Sequence, residues 1–130
     1  MTGKEEILRV VRKSEISNVE LQWIGVAPFI RSKVSGIDCL ENHLRNGIGI
    51  GKIYESINLV DEVVPGFVYG LESSEFRILP DIGTFALTPY APKSTRFICE
   101  LKEVHLSPAD LSTRSLLRRV LKKGTKEVTK

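Results

Sequence analysis

The sequence has no long hydrophobic run, and no apolar stretch approaches the ~20 residues that a membrane-spanning helix needs. Residues 1–6 are polar and lack the apolar core of a secretory signal. We therefore expect a cytoplasmic protein without a membrane partner. The composition, 42% hydrophobic and 27% charged, is typical of a globular protein, and 130 residues are one domain's worth of chain.

Cysteine and histidine are also scarce, with two residues of each. Cys39 and Cys99 stand far apart without a CxxC motif, which predicts two reduced, buried thiols; a long-range disulfide is the alternative. His43 and His105 have no neighbours at metal-ligand spacing, and we place His43 on a helix surface. The sequence therefore predicts neither a metal site nor catalytic residues.

The net charge of +3 is unevenly distributed. Residues 112–130 carry seven basic groups and one acid, a balance of +6, which leaves −3 for the other 111 residues. A basic stretch of this kind can bind nucleic acid by neutralising phosphates. Because the stretch has no aromatic residue for base stacking and the body is acidic, we expect no nucleic-acid partner.

Hydrophobic periodicity predicts an α+β fold in which a sheet packs on one helix. The predicted helices are an N-terminal one within 1–16, one from Ile37 to Asn46 that Gly47 ends, and one after Pro108. A turn is expected at 25–28, and residues 53–74 form a long crossing segment without periodicity. The predicted strands lie at 19–23, 29–34, 75–79, 84–88 and 96–101.

The last predicted helix has an apolar stripe that little of the following chain can cover. The stripe consists of Leu116, Leu117, Val120 and Leu121. Basic residues accompany it along the helix. An amphipathic helix without a following element indicates that further protein packs against it.

Short motifs in a fixed order resemble the N-terminal domain of glutamine synthetase. In that family a Pro-Asp, a Thr three residues later and a Pro-Trp precede a strand that ends in Ile-Cys-Asp. The corresponding residues here, with Tyr for Trp and Glu for Asp, are Pro80-Asp81, Thr84, Pro89-Tyr90 and Ile98-Cys99-Glu100. Further similar segments, within a resemblance that covers residues 17–121, are Leu21-Gln22-Trp23, Arg31-Ser32-Lys33, Asn46-Gly47-Ile48 and Thr113 to Leu121.

This resemblance implies a β-grasp (ubiquitin-like) domain at 17–106, after an N-terminal helix at 1–16 and before the start of a missing catalytic domain at 107–130. Family members join an amine to the γ-carboxylate of glutamate through γ-glutamyl phosphate, using ATP and Mg or Mn. The catalytic domain holds the metals and the nucleotide, so we expect this chain alone to bind neither and to be inactive. The implied partners are its own catalytic domain and the neighbouring subunits of a homo-oligomeric ring.

In the family, the N-terminal domain forms one wall of a neighbouring subunit's active site, and an Asp in an Asp-Gly-Ser-Ser loop holds and deprotonates ammonium. Gly51 stands at the position of that Asp, no Ser pair follows, and Lys52 would repel an ammonium ion. The substrate is accordingly ammonia or another amine. The resemblance implies four substrate-binding residues, Gly51, Lys52, Tyr54 and Glu75.

Glu75 has an alternative as a solvent-exposed carboxylate on an edge strand. We expect Arg77 on the solvated face of the same strand, with binding of substrate or the neighbouring subunit as the alternative, and we expect Asp81 to organise its turn by accepting backbone N–H bonds. The Gly49–Lys52 segment lacks the spacing of a phosphate-binding loop. The alternative function is a stand-alone β-grasp interaction or regulatory module without catalysis.

Overall fold

A six-stranded mixed sheet with three helices forms the fold of the computed structural model, which describes residues 3–26 and 30–128. The α-helices are α1 (Lys4–Lys13), α2 (Leu40–Asn46) and α3 (Thr113–Val128). The strands are β1 (Asn18–Ile24), β2 (Ile30–Gly36), β3 (Ile48–Gly51), β4 (Glu75–Pro80), β5 (Ala86–Leu87) and β6 (Ser94–Lys102). The predicted α+β class, with a β-grasp-like sheet, is confirmed.

The strand order is β2-β1-β6-β4-β3, and β5 also pairs with β6. Strand β6 runs parallel to β1 and antiparallel to β4 and β5, whereas the hairpin partners β1 and β2 are antiparallel. The sheet is curled enough for the Lys33 ammonium of edge strand β2 to donate to the Gly49 carbonyl of the opposite edge strand β3, at 2.7 Å. Residues 27–29 of the predicted turn and second strand lie outside the described residues.

The core lies between the sheet and the helices α1 and α2. Strand alternation buries one face of each central strand, and Trp23 is in this core. Helix α1 adds Ile7 and Val11, while α2 adds Leu40. The buried strand residues include Val19, Leu21, Trp23, Ile50, Phe76, Ile78, Phe97, Cys99 and Leu101.

Gly47 ends α2 as predicted. Its φ of +66° is a conformation that side chains other than hydrogen disfavour, and its N–H donates to the His43 carbonyl at 2.9 Å. A Cβ at this position would stand 2.8 Å from the Ile78 carbonyl oxygen. Glycine is therefore required here both by backbone conformation and by the close approach of β4.

Two side-chain predictions were wrong. His43 is only 7% exposed, and its Nε2 lies 2.9 Å from Ser35 Oγ of β2. Burial lowers the pKa of His43.

Cys39 is exposed at the end of a 3-10 turn, Ile37–Cys39, whereas Cys99 is buried. Burial raises the pKa of Cys99 to about 12. Both cysteines are free.

Among residues 3–26 and 30–128, no helix has the length and apolar character that crossing a membrane requires.

We expect Gly47→Ala to destabilise the protein by about 2 kcal/mol or more, because alanine strains the positive φ and its Cβ meets a backbone oxygen. Gly124→Ala is the matched control. It lies within α3 with no atom within 4 Å of its Cβ position, so alanine should stabilise by roughly 0.5–1 kcal/mol. Urea unfolding of both variants measures the two effects, and equal shifts would contradict this account of Gly47.

His43 should make the protein less stable in mild acid. Its pKa in the folded chain lies below the usual value of 6.5 for histidine, so below that pH the unfolded chain binds a proton that the folded chain does not. The free energy of unfolding should then fall as pH drops from 6.5 towards the lowered pKa, by at most about 1.4 kcal/mol per pH unit. His43→Gln should remove this slope and His105→Gln should keep it; the reverse result would refute the assignment.

Candidate functional site

Three of the four predicted substrate-binding residues lie together at one end of β3 and β4. Gly51, the last residue of β3, pairs with Glu75, the first residue of β4. Lys52 and Tyr54 follow directly in a 3-10 helix, Lys52–Ser56. Gly51, Glu75 and Tyr54 border one surface, whereas the Lys52 side chain turns to the other face of the sheet.

The Glu75 carboxylate lies over the face of β3 that carries only glycines, Gly49 and Gly51. Opposite residues of an antiparallel pair share a face, so Glu75 and Arg77 share theirs with Gly51 and Gly49. Glu75 Oε1 is 3.0 Å from Arg77, and Glu75 Oε2 is 2.5 Å from where a Cβ of Gly49 would stand. The Glu75 side chain is 43% exposed. Strand β4 lies between β6 and β3, so Glu75 is not on an edge strand.

Gly51 leaves an open position on the face that carries Glu75. Its φ of −60° is accessible to any residue, so the glycine is not needed for the backbone conformation. A Cβ here would lie 3.6 Å from Ile53 Cγ2 and 3.8 Å from Tyr54 Cδ2, which are ordinary contact distances. Tyr54 is 45% exposed. A methyl group at position 51 would therefore be accommodated without displacing either neighbour.

The positive charge of Lys52 is neutralised away from this surface. Its Nζ is 2.7 Å from Glu103 Oε2 and lies over the Phe76 and Tyr69 rings at 4.7 and 5.5 Å from their centroids. Phe76 faces the core, on the opposite side of β4 from Glu75. Lys52 consequently has a structural role, and it does not oppose a cation beside Glu75. Its assignment as a substrate contact stays a prediction.

Glu55, which the sequence analysis did not single out, fixes the 3-10 helix to the first hairpin. Its carboxylate is only 4% exposed and accepts from Trp23 Nε1 at 3.3 Å and from the Val26 N–H at 2.9 Å. A Cβ on Gly25 would stand 3.0 Å from Glu55 Oε2. The available signal was Trp23 itself, since the N–H of a buried indole needs an acceptor.

Ser56 fixes the same 3-10 helix to the long crossing segment. The Ser56 carbonyl accepts from the Val64 N–H at 2.8 Å, and its hydroxyl accepts from the Tyr69 N–H at 3.3 Å. Together with Lys52 and Glu55, this serine connects the helix to three different parts of the chain. The 3-10 helix that carries Tyr54 is therefore held by buried polar contacts on its inner side.

A charged cluster attaches α3 to the sheet. Asp81 organises its turn as predicted, accepting from the Gly83 N–H at 3.0 Å, and its other oxygen is 2.5 Å from Arg114 and 2.8 Å from Arg118. Glu100 is buried, contacts Arg118 and is 3.1 Å from Lys102. The predicted apolar stripe is 53–60% exposed within the part of the chain that the structure describes. The helix thus docks through its arginines and leaves its leucines uncovered.

Within the described ranges, 3–26 and 30–128, no three His, Cys, Asp or Glu side chains converge as metal ligands would. The residues described do not fit a catalytic metal, and we assign no metal-dependent step to them.

Two relatives of this chain are a glutamate–isopropylamine ligase and a glutamine synthetase. No protein-family model matches the chain. It is 27% identical over 129 residues to a glutamate–isopropylamine ligase from a Pseudomonas species, and 23% identical over 134 residues to a glutamine synthetase from Methanocaldococcus jannaschii. These matches cover 94% and 95% of the chain but only 28% and 27% of the relatives.

Solved structures share the fold. A novel glutamine synthase homolog superimposes with a TM-score of 0.76 at 22% identity, covering 86% of this chain and 27% of its own. A GmaS/ADP complex gives 0.77 at 14% identity, covering 98% and 26%, and GmaS without ligand gives 0.76 at 15% identity, covering 98% and 27%. The predicted resemblance to the N-terminal domain of the glutamine synthetase family is confirmed.

We expect Glu55→Ala to destabilise the protein by roughly 1–3 kcal/mol, because the Trp23 and Val26 N–H groups lose their buried acceptor. Glu55→Gln retains one acceptor oxygen and should cost less. Trp23 is the single tryptophan, so its fluorescence emission reports the change directly. The exposed Glu72→Ala is the control and should leave both emission and stability as they are; a similar effect there would contradict the role of Glu55.

Proposed function

We propose that this chain is the N-terminal domain of a glutamine-synthetase-type ligase that joins ammonia or another amine to the γ-carboxylate of glutamate with ATP. The observation that supports this most is the match to two curated glutamate ligases along 94% and 95% of the chain. The proposed organisation is an N-terminal helix at 1–16, a β-grasp domain at 17–106 and the start of a catalytic domain at 107–130. A cytoplasmic location belongs to the same proposal.

The proposed role of this domain is to supply one wall of a neighbouring subunit's active site in a homo-oligomeric ring. The surface bordered by Gly51, Tyr54 and Glu75 suits that role, because its one carboxylate can attract the cationic form of an amine. Lys52 holds the same 3-10 helix from the opposite face of the sheet, through its ion pair with Glu103. An anionic substrate such as glutamate would be repelled by Glu75 and must bind to the neighbour's side.

The proposed reaction transfers the terminal phosphoryl group of ATP to the γ-carboxylate of glutamate, releasing ADP. The nitrogen lone pair of the amine then attacks the γ-carbonyl carbon, and phosphate leaves with the electrons of the broken C–O bond. The ammonium form loses two protons in becoming an amide N–H, one before the attack and one after it. ATP and Mg or Mn belong to the catalytic domain in this proposal, and the described residues contribute the amine-facing wall.

The exposed stripe of α3 fits the same proposal. Leu116, Leu117, Val120 and Leu121 would be covered by the remainder of the catalytic domain. The chain's share of its relatives, 28% and 27%, leaves room for such a domain in a protein of their length. The arginine cluster would then fix the orientation of the two domains at their junction.

A stand-alone interaction module is the second candidate. It is favoured by the crossing segment, which exposes several large apolar side chains while carrying only acidic charges. These apolar residues are Leu59, Val60, Val63, Val64, Phe67, Val68 and Leu71. A surface of this kind is typical of a protein interface.

The first experiment is the intact mass of the native polypeptide, set against the 14.6 kDa of this chain. We expect a heavier product that releases ADP and phosphate only when glutamate, ATP and an amine are all present. The purified 130-residue chain should show no such activity. Glutamine formation by that chain alone would contradict the proposal that a separate catalytic domain carries out the reaction. A native mass of 14.6 kDa would favour the interaction module.

A further inference from the structure

We propose that a groove on the outer face of the sheet, the face that points away from the core, binds a small carboxylate with an apolar body. Its carboxylate would pair with Arg96. The groove has a volume of about 360 Å³, and the residues that line it include Gln22, Ile24, Ile30, Tyr90, Arg96 and Ile98. None of them borders the surface at Gly51 and Glu75, so the inference does not depend on the proposed ligase function.

Three neighbouring strands form the floor of this groove. Along β6, Arg96 and Ile98 point outward, because the residues that alternate with them are buried in the core. The strand register sets Gln22 of β1 beside Ile98 of β6, and Ile24 of β1 opposite Ile30 of β2. The floor therefore carries one isoleucine from each of β2, β1 and β6.

Helix α3 leaves this part of the outer face open. Its Arg118 contacts Glu100, which lies two residues beyond Ile98 on the same face and is buried. Towards the start of β6 this cover ends. Ile30 is 65% exposed, and Tyr90, in the turn before β6, is 76% exposed. A ligand can therefore enter the groove from the side of this turn.

Arg96 supplies the charge for an anionic ligand. It is half-buried, and among residues 3–26 and 30–128 its side chain makes no hydrogen bond and no ion pair. This holds even for Glu20, its register partner on β1. A guanidinium group presents a planar fork of N–H donors that matches the two oxygens of a carboxylate. The fork of Arg96 is therefore available to an anion from solution.

The surroundings of Arg96 favour a singly charged ligand with a carbon body. Arg96 balances one negative charge, and the nearby Glu20 would repel the second charge of a phosphate group. The three isoleucines gain only from contact with carbon. A volume of about 360 Å³ equals that of roughly twelve water molecules at ~30 Å³ each, so the ligand has about a dozen non-hydrogen atoms. An arylalkyl carboxylate such as 3-phenylpropionate has this size and charge.

The measurement is isothermal titration calorimetry of 3-phenylpropionate on the full native polypeptide that carries this chain. Two further ligands separate the contributions of charge and body. Acetate keeps the carboxylate without the apolar body, and 3-phenylpropylamine keeps the body with the opposite charge. We expect 3-phenylpropionate to bind at least about 10-fold more tightly than either, because only it uses both the fork of Arg96 and the isoleucines.

Arg96→Gln tests the assignment without disturbing the fold. Arg96 has no polar partner among the described residues, so the unfolding temperature should stay near that of the unchanged protein. Affinity for 3-phenylpropionate should fall by about 10-fold or more. Arg96→Lys keeps the charge without the planar fork and should give an intermediate loss. Glu20→Gln removes the neighbouring negative charge and should raise the affinity by about twofold.

Arg9→Gln is the matched control, since it removes the same charge from an exposed position of α1, on the core side of the sheet. It should leave the affinity unchanged. An Arg96→Gln variant that folds normally and binds 3-phenylpropionate as tightly would overturn the inference, as would an equal loss in Arg9→Gln. Equal binding of acetate or 3-phenylpropylamine would also overturn it. Absence of binding at millimolar 3-phenylpropionate would do the same, because the groove would then be covered or unsuited to such a ligand.

Discussion

Strand β6 is the element on which the rest of the fold depends. One of its edges pairs with β1 along 94–98, and the other pairs with β5 and then with β4 along 99–102. The residues Thr95, Phe97, Cys99 and Leu101 alternate into the core along the same strand. Because β1 and β6 are separated by some seventy residues, their pairing closes a long loop and carries the entropy cost of that closure.

The candidate site follows from that pairing through a series of local contacts. Strand β4 pairs with β6 along 77–80 and with β3 along 75–78, and the second pairing sets Gly51 opposite Glu75. The 3-10 helix that follows is then held on its inner side by Glu55, Ser56 and Lys52. Buried polar groups of this kind cost stability when unpaired, so they specify one arrangement of the 3-10 helix. On the outer side, Gly51 is partly exposed and Tyr54 is 45% exposed.

Local patterns were sufficient for most elements and insufficient for the contacts between them. Alternating apolar residues predicted β1 and β6, and Gly47 predicted the end of α2, because these signals act over a few residues. Strand β3 was missed because two of its four residues are glycine, which weakens strand preference, and only its pairing with β4 overrides this.

The site was predicted in part, and the remainder required the tertiary structure. The family resemblance indicated Gly51, Tyr54 and Glu75, which the fold brings to one surface. It did not indicate Glu55, whose partners lie about thirty residues earlier in the chain. The direction of the Lys52 side chain likewise depends on Glu103, which no local pattern connects to it.

The docking of α3 shows how charge can decide which face of an amphipathic helix meets a sheet. Arg114 and Arg118 are one turn apart and contact Asp81 and Glu100, and Thr113 donates to the Ile24 carbonyl at 3.0 Å. The centre of the leucine stripe lies roughly 110° around the helix from these arginines. Glu100 is buried, so removing its cationic partners would leave an uncompensated charge. That penalty keeps the arginine face on the sheet and leaves the apolar face of α3 exposed among the described residues.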